Sequence, residues 1–359
     1  MAFESQLLAY VLLALLLALV VSFLMTPVVK TFAYKVGAID VPKDNRRMHK
    51  TPIPRMGGLA IFAGFLISSL IFIPLGKEFR AILLGALILV VLGIIDDVVA
   101  LKAQVKFLGQ IVAALIPVLA GVNIHGFANP FHSGYTSLGV LSVPITVLWI
   151  VGITNAVNFI DGLDGLACGV SAIATVTMFI IAVLFGESYV AFTMAALAGA
   201  CLGFLPYNMN PAKIFMGDTG SMFLGYILAV TSIQGLFKMY AVISFMVPFL
   251  ILGVPFFDIT FAVIRRLAKH QNPMTADRGH IHHRLIDMGL SQKQSVAIVY
   301  MLTGVLGLAA VLLANNTGTK AFILFAAVFV VAVLGFAVIF GPHHRPHQND
   351  KKDEEQNHG

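Results

Sequence analysis

Apolar runs long enough to cross a bilayer leave this chain little choice of fold. A helix spanning the roughly 30 Å hydrocarbon core needs about 20 residues. Eleven such runs follow one another, at about 6–29, 57–75, 80–98, 107–122, 142–159, 166–185, 189–207, 214–235, 239–263, 295–314 and 320–340. The sequence therefore predicts an all-α, polytopic membrane protein of about eleven transmembrane helices. Only 11% of the 359 residues are charged and 58% are hydrophobic, whereas a soluble domain carries closer to a quarter charged residues. Water is thus excluded as the solvent for most of the surface. The first run, from Leu7 to Met25, has no basic segment before it, carries Glu4 instead and is too long for a cleaved secretory signal. It reads as a retained span. Cys168 and Cys201 both lie in apolar runs, so neither a disulfide framework nor zinc-finger spacing is available.

Charge sorts between alternate loops. Nineteen of the 23 lysines and arginines fall on one face, and only Lys77, Arg80, Lys238 and Lys320 fall on the other. Basic residues stay cytoplasmic, which predicts a cytoplasmic C-terminus and an external N-terminus. Residues 342–359 are polar, His-rich and without apolar periodicity, and read as a disordered tail on a single membrane domain spanning 1–341. The acids sort the same way: Asp96, Asp97, Asp161, Asp164, Asp218, Asp258, Asp277 and Asp287 lie at the basic face. Asp258 is the outlier in depth. It precedes Arg265 by seven residues, roughly 10 Å at the ~1.5 Å helical rise, so its carboxylate needs a cavity or a partner.

Five motifs gather at that face. In LGIIDDVVALKAQVKFLGQ, Asp96 and Asp97 diverge by ~100° around a helix, so one can face a cleft while the other anchors locally. Lys102 and Lys106 follow within two turns and would hold a phosphate. In NAVNFIDGLDGLA, Asn158, Asp161 and Asp164 recur every third residue beside Gly162 and Gly165. That density exceeds what a simple Asx turn requires. In FMGDTGS, Asp218 enters a span between glycines. Free amides at a helix start favour anions, and a carboxylate there can take Mg²⁺; an N-cap by Asp218 or Thr219 explains the same residues. Arg278, His280, His282, His283 and Arg284 form a cationic wall suited to a pyrophosphate. Zinc is the rival there, opposed by the lack of nearby cysteine and by the flanking arginines. Finally, RRMHKTPIPRMGG, with His49 and Arg55, is a basic juxtamembrane loop that would also suit anionic lipid head groups.

At these residues the sequence resembles the polyprenyl-phosphate N-acetylhexosamine-1-phosphate transferases, glycosyltransferases of the family 4 type. The resemblance runs through nearly the whole chain, from RRMHKTPIPRMGG through IIDD, NAVNFIDGLDGLA and FMGDTGSMFLGY to RGHIHHRL. The HIHHR form is similar to the GlcNAc-1-phosphate branch, and within it to the Gram-positive enzymes that begin teichoic acid linkage units. The peptidoglycan translocases differ in carrying three consecutive histidines before an aromatic-acid pair.

The resemblance implies a division of labour. Asp218, helped by Asn158, would hold Mg²⁺, or Mn²⁺ in its place. Asp96, Asp97, Asp161 and His282 would be catalytic, with one of the Asp96–Asp97 pair near the lipid phosphate. Asp164 and Phe215 would contact uracil, while Lys106, Arg278, His280, His283 and Arg284, with His49 and Arg55 as lesser contributors, would bind phosphates or sugar. The expected reaction takes UDP-GlcNAc and undecaprenyl phosphate to undecaprenyl-diphosphate-GlcNAc and UMP at the cytoplasmic face of a bacterial inner membrane, by direct attack or through an aspartyl phospho-enzyme. A homodimer is a further expectation, and no nucleic acid is involved. UDP-MurNAc-pentapeptide or UDP-GalNAc are the alternative donors. A secondary transporter is the reading from another class, opposed by the absence of repeated halves and of a mid-membrane row of acids.

Overall fold

The computed structural model describes residues 5–41, 52–128, 135–235, 246–268, 280–314, 326, 328 and 330. His49, Arg278 and the tail lie outside these, as does nearly all of the run at 320–340. The described chain is built from α1 (Ser5–Val36), α2 (Gly58–Phe72), α3 (Lys77–Val99), α4 (Ala103–Ala120), α5 (Ser142–Phe159), α6 (Leu166–Phe185), α7 (Ser188–Asn208), α8 (Gly217–Gly235), α9 (Met246–Ile251), α10 (Gly253–Ala268), α11 (Ile281–Asp287) and α12 (Gln292–Ala314). Two short antiparallel pairs qualify the all-α expectation: β1 (Ile39–Asp40) with β2 (Ile53–Pro54), and β3 (Gly126–Ala128) with β4 (Tyr135–Ser137). Both are far too short to alter the class.

Seven helices among the described residues are long and apolar enough to cross a membrane, and α2 is a shorter apolar one. Large apolar side chains such as Leu16 and Leu24 of α1, Leu119 of α4, Leu148 of α5 and Leu308 of α12 remain exposed on their outer faces. A folded chain in water would cover such a belt. The protein is a multi-pass membrane protein.

The apolar run at 239–263 is not one straight helix within its described part. It breaks between α9 and α10 at Leu252. Pro255 has no N–H to offer the carbonyl four residues earlier, on Ile251, and its ring crowds that carbonyl, so the helix kinks there.

Helix α8 is the axis of the bundle. Every residue from Thr219 to Gly235 is buried, and α2, α3, α5, α6 and α7 all pack against it. A helix apolar around its whole circumference belongs inside a bundle rather than on its rim. Close approach is possible because the contact positions lack side chains. A Cβ on Gly58 of α2 would overlap the Gly220 backbone, and one on Gly93 of α3 would overlap the backbone of Thr219. Around this axis, α1 packs on α2 and α7, and α6 packs between α7 and α12.

Candidate active site

The helix turns at one end of the bundle converge on the start of α8. Helix α3 ends at Ala100 in the left-handed region, φ 52°, with its N–H donating to the Asp96 carbonyl. The Asp96 side chain closes the same turn, its Oδ1 accepting from Leu101 N at 2.6 Å. That fold-back aims α4 so that Lys106 returns to the carboxylates. Lys106 Nζ lies 3.2 Å from Asp96 Oδ2 and 2.6 Å from Asp218 Oδ2. The other oxygen of Asp218 accepts from Asn158 Nδ2 at 3.2 Å, and the same amide donates to Ser221 Oγ at 2.7 Å. Sequence positions 96, 106, 158 and 218 thus meet at one point.

Asp97 does something different. Its Oδ1 accepts from Asp218 N at 3.0 Å, and its Oδ2 accepts from Thr219 N at 3.2 Å and Thr219 Oγ1 at 2.7 Å. A carboxylate from α3 therefore caps α8, where unsatisfied N–H groups and the helix dipole favour negative charge. The sequence offered Asp218 or Thr219 as the cap, or free amides awaiting a ligand anion. The anion is the protein's own. Gly217 makes room, with φ 73° and no side chain to overlap the Asp97 carboxylate. Arg55 approaches from the other side, its Nε 3.6 Å from Asp97 Oδ1. It is delivered by a backbone staple: Phe215 N donates to Pro54 O at 2.8 Å, Gly57 N to Phe215 O at 2.9 Å, and Gly58 N to Met216 O at 2.8 Å.

The turn between α5 and α6 supplies the remaining acids. Burial pushes the Asp161 carboxyl up to about 8, with the negative charge of Asp218 adding to the effect and Arg55 opposing it. Asp164 accepts from Asn210 Nδ2 at 2.9 Å and from Ala212 N at 3.0 Å through a single oxygen, and Asn210 also donates to Gln292 Oε1 at 2.8 Å. Asp164 thereby ties the 209–213 segment to the start of α12. The backbone of Phe215 belongs to the staple with Pro54 and Gly57.

The histidines lie over this same turn. The His282 ring sits on Gly162, where any Cβ would overlap its Nε2. It is buried, and neither ring nitrogen has a hydrogen-bond partner among the described residues. Burial holds its pKa well below the ordinary histidine value, and the neighbouring His283 and His280 lower it further. His282 is therefore a neutral imidazole, not a cationic member of the wall that the sequence suggested. His280 stacks on Phe159 at 5.6 Å between centroids and on His282 at 5.9 Å, while His283 lies 4.3 Å from His282. Arg284 occupies α11 beside them.

One polar group, Gln110, escaped the sequence reading. Gln110 and Asn155 pair through both amide ends, at 2.5 and 3.3 Å, and Gln110 Nε2 also meets Met222 Sδ at 3.5 Å. The signal was present, since Gln110 lies four residues after Lys106 and so on the same helix face.

The donor set suits a hard cation. Asp96, Asp218 and Asn158 offer only oxygen among their metal-binding atoms, the chemistry that Mg²⁺ takes. The Lys106 ammonium between the two carboxylates marks a place where positive charge is already stabilised. Among the described residues no group of three or more His, Cys, Asp or Glu could hold an ion unaided, so an ion there would complete its shell from water and phosphate oxygens.

Comparisons with known proteins place this arrangement. The family model for glycosyl transferase family 4 matches residues 79–236, which run from α3 to the end of α8. A Bacillus subtilis (strain 168) protein described as a probable undecaprenyl-phosphate N-acetylglucosaminyl 1-phosphate transferase is 43% identical over 89% of this chain and 90% of its own length. A decaprenyl-phosphate N-acetylglucosaminephosphotransferase of Mycobacterium tuberculosis (strain ATCC 25618 / H37Rv) is 36% identical, over 87% of this chain and 85% of its own. The phospho-N-acetylmuramoyl-pentapeptide-transferase of Staphylococcus aureus (strain MW2) is 33% identical, over 82% and 97%. Similarity of that extent, over nearly the whole length, makes this chain a member of glycosyl transferase family 4.

Proposed function

We propose that this protein transfers GlcNAc-1-phosphate from UDP-GlcNAc to undecaprenyl phosphate, giving undecaprenyl-diphosphate-GlcNAc and UMP. Its place would be the first membrane step of wall teichoic acid or a related envelope polymer. The observation that carries the reading is the meeting of Asp96, Asp218 and Asn158 around the Lys106 ammonium, at the end of the bundle where the Asp161 turn and the histidines also lie. The relative from B. subtilis supports the sugar and the lipid.

In this reading an oxygen of the lipid phosphate attacks the β-phosphorus, the bond from that phosphorus to the bridging oxygen breaks, and UMP leaves. Phosphoryl transfer asks for positioning and charge neutralisation more than for covalent help. Lys106 and Arg55 bring positive charge to the phosphates. Asp161, its proton held by burial, would donate a hydrogen bond to a phosphate oxygen. Mg²⁺, held by Asp218 with Asp96 and Asn158, would neutralise charge on the phosphate oxygens. The neutral His282 imidazole and its neighbours would bind phosphate or sugar by hydrogen bonds. The active site would face the cytoplasm of a bacterial inner membrane, with eleven spans, an external N-terminus and a homodimer as the assembly. Cysteine labelling from either side of the membrane at residues 76 and 102 tests the orientation, and labelling of both from the same side would reject it.

The activity is tested with detergent-purified protein, Mg²⁺, undecaprenyl phosphate and either UDP-GlcNAc or UDP-MurNAc-pentapeptide, reading UMP. We expect UMP from the first donor alone, abolished by EDTA. UMP from the second alone would move the protein to the pentapeptide reaction of its S. aureus relative.

A further inference from the structure

Asp258 lies inside the bundle on α10, with no solvent exposure. Its two oxygens are both used. Oδ2 lies 2.8 Å from His280 Nδ1, and Oδ1 accepts from Ile281 N at 2.8 Å. A buried carboxylate facing one imidazole nitrogen decides where the ring proton sits, because an acceptor-only group needs N–H at that nitrogen. Nδ1 therefore carries the proton and Nε2 is the edge left for other work. The ring also stacks on Phe159 and on His282. Phe159 follows Asn158, and His282 covers Gly162 next to Asp161. The ring thus stands against the α5–α6 turn that carries Asn158, Asp161 and Asp164.

We infer that Asp258 is a positioning residue: it fixes His280 in the Nδ1–H form and in one rotation, so that Nε2 presents a hydrogen-bond acceptor to a hydroxyl or amide N–H of the donor's sugar. The inference rests on the proposed transferase reading for what His280 touches, but the tautomer it assigns does not. The second bond, to Ile281 N, fixes the ring's backbone as well, because Ile281 opens α11 directly after His280. One side chain sets both the orientation of the imidazole and the place from which it projects, in the manner of a carboxylate behind a functional histidine.

A near-isosteric change separates this role from packing. Asp258→Asn keeps an oxygen for Ile281 N but turns an N–H₂ toward His280 Nδ1, which forces the proton to Nε2. We expect kcat to fall on the order of 10²-fold or more, the scale of assistance from a positioned side chain. KM for the donor and the melting temperature should stay close to wild type, and Asp258→Glu should recover part of kcat. His280→Gln should lose a similar amount, and the double variant Asp258→Asn/His280→Gln should lose no more than His280→Gln alone. Wild-type kcat in Asp258→Asn, or losses that multiply in the double variant, would overturn the inference. If Asp258→Asn does not fold, ¹⁵N NMR of histidine-labelled wild-type protein decides: a proton on His280 Nδ1 supports it and a proton on Nε2 overturns it. That spectrum also separates the two readings. Wild-type protein inert toward every donor would sink the transferase proposal, while the tautomer would still judge the dyad.

Discussion

Helices α3 and α8 lie side by side, and a carboxylate on α3 ties them together at both ends. At one end Glu78 Oε2 accepts from Gln234 Nε2 at 2.9 Å. At the other, Asp97 caps α8, and Asp96, Asp161 and Asp218 gather beside it against Lys106 and Arg55. The first end needs nothing more than a hydrogen bond to a charged acceptor, worth roughly 1.5–3 kcal/mol. The second holds more acids than cations among the described residues, and close acids raise the free energy of one another's ionised forms. A bundle built only for stability has no reason for that surplus. The contrast separates a tie that fastens helices from a cluster arranged for cations and phosphates.

The sharpest way to break this contrast is to remove one acid at each end. Asp218→Asn should lower UMP release by about 10³-fold, the upper range for loss of one preorganised electrostatic group. Glu78→Gln should leave it within about twofold, as expected of a substitution remote from the chemistry. Equal losses would mean that the acid cluster is no more functional than the far tie.

Stability distinguishes Asp97 from its neighbours. Asp97→Ala leaves two amides and a threonine hydroxyl at the start of α8 without an acceptor, at about 1–3 kcal/mol for each buried group. Thermal unfolding in detergent should drop well below that of Glu78→Ala. If the two variants unfold together, Asp97 is not the cap that its hydrogen bonds describe.

The pH dependence of metal-free protein sharpens the point further. In the folded state the Asp161 carboxyl keeps its proton up to about 8, whereas in the unfolded chain it ionises near the ordinary 3.8. Across that interval the unfolded chain binds fewer protons, so this group makes stability fall as pH rises from about 4 and level off above about 8. In EDTA, Asp161→Asn should melt with a flatter pH profile than wild type, and parallel profiles would refute the assignment. The smallest effect is expected at Lys106. Its ammonium and a divalent cation would use the same Asp96 and Asp218 oxygens, so Lys106→Met should tighten Mn²⁺ binding by about threefold to tenfold, a coupling of roughly 1 kcal/mol. Manganese EPR reads this directly, and weaker binding would show that Lys106 supports the ion instead of standing in for it.

What the sequence disclosed follows the range of its forces. Apolar runs are local, so Leu166–Phe185 and Ser188–Asn208 could be read almost to the residue. The depth of Asp258 demanded a partner, but nothing in the chain named His280, 22 positions away. The cap on α8 was harder still, because Asp97 and Thr219 are 122 residues apart and each had an adequate local explanation. The density of Asn158, Asp161 and Asp164 pointed to one face, yet it could not tell that Asp164 would fasten Asn210 and Ala212. The kink at Leu252 was readable from Pro255 and was lost in a run that is apolar throughout.

The backbone staple between Pro54–Gly58 and Phe215–Met216 has a consequence for biogenesis. A membrane protein is made and inserted from its N-terminus, and contacts of long sequence separation form late. When α2 and α3 first enter the bilayer, Arg55 and Asp97 are already in place, but the strand of chain that they await has not been synthesised. The half-made protein must carry these charges at the membrane surface until α8 arrives. The acid cluster therefore assembles only once α8 has docked, and no product of the ribosome that ends before α8 can possess it.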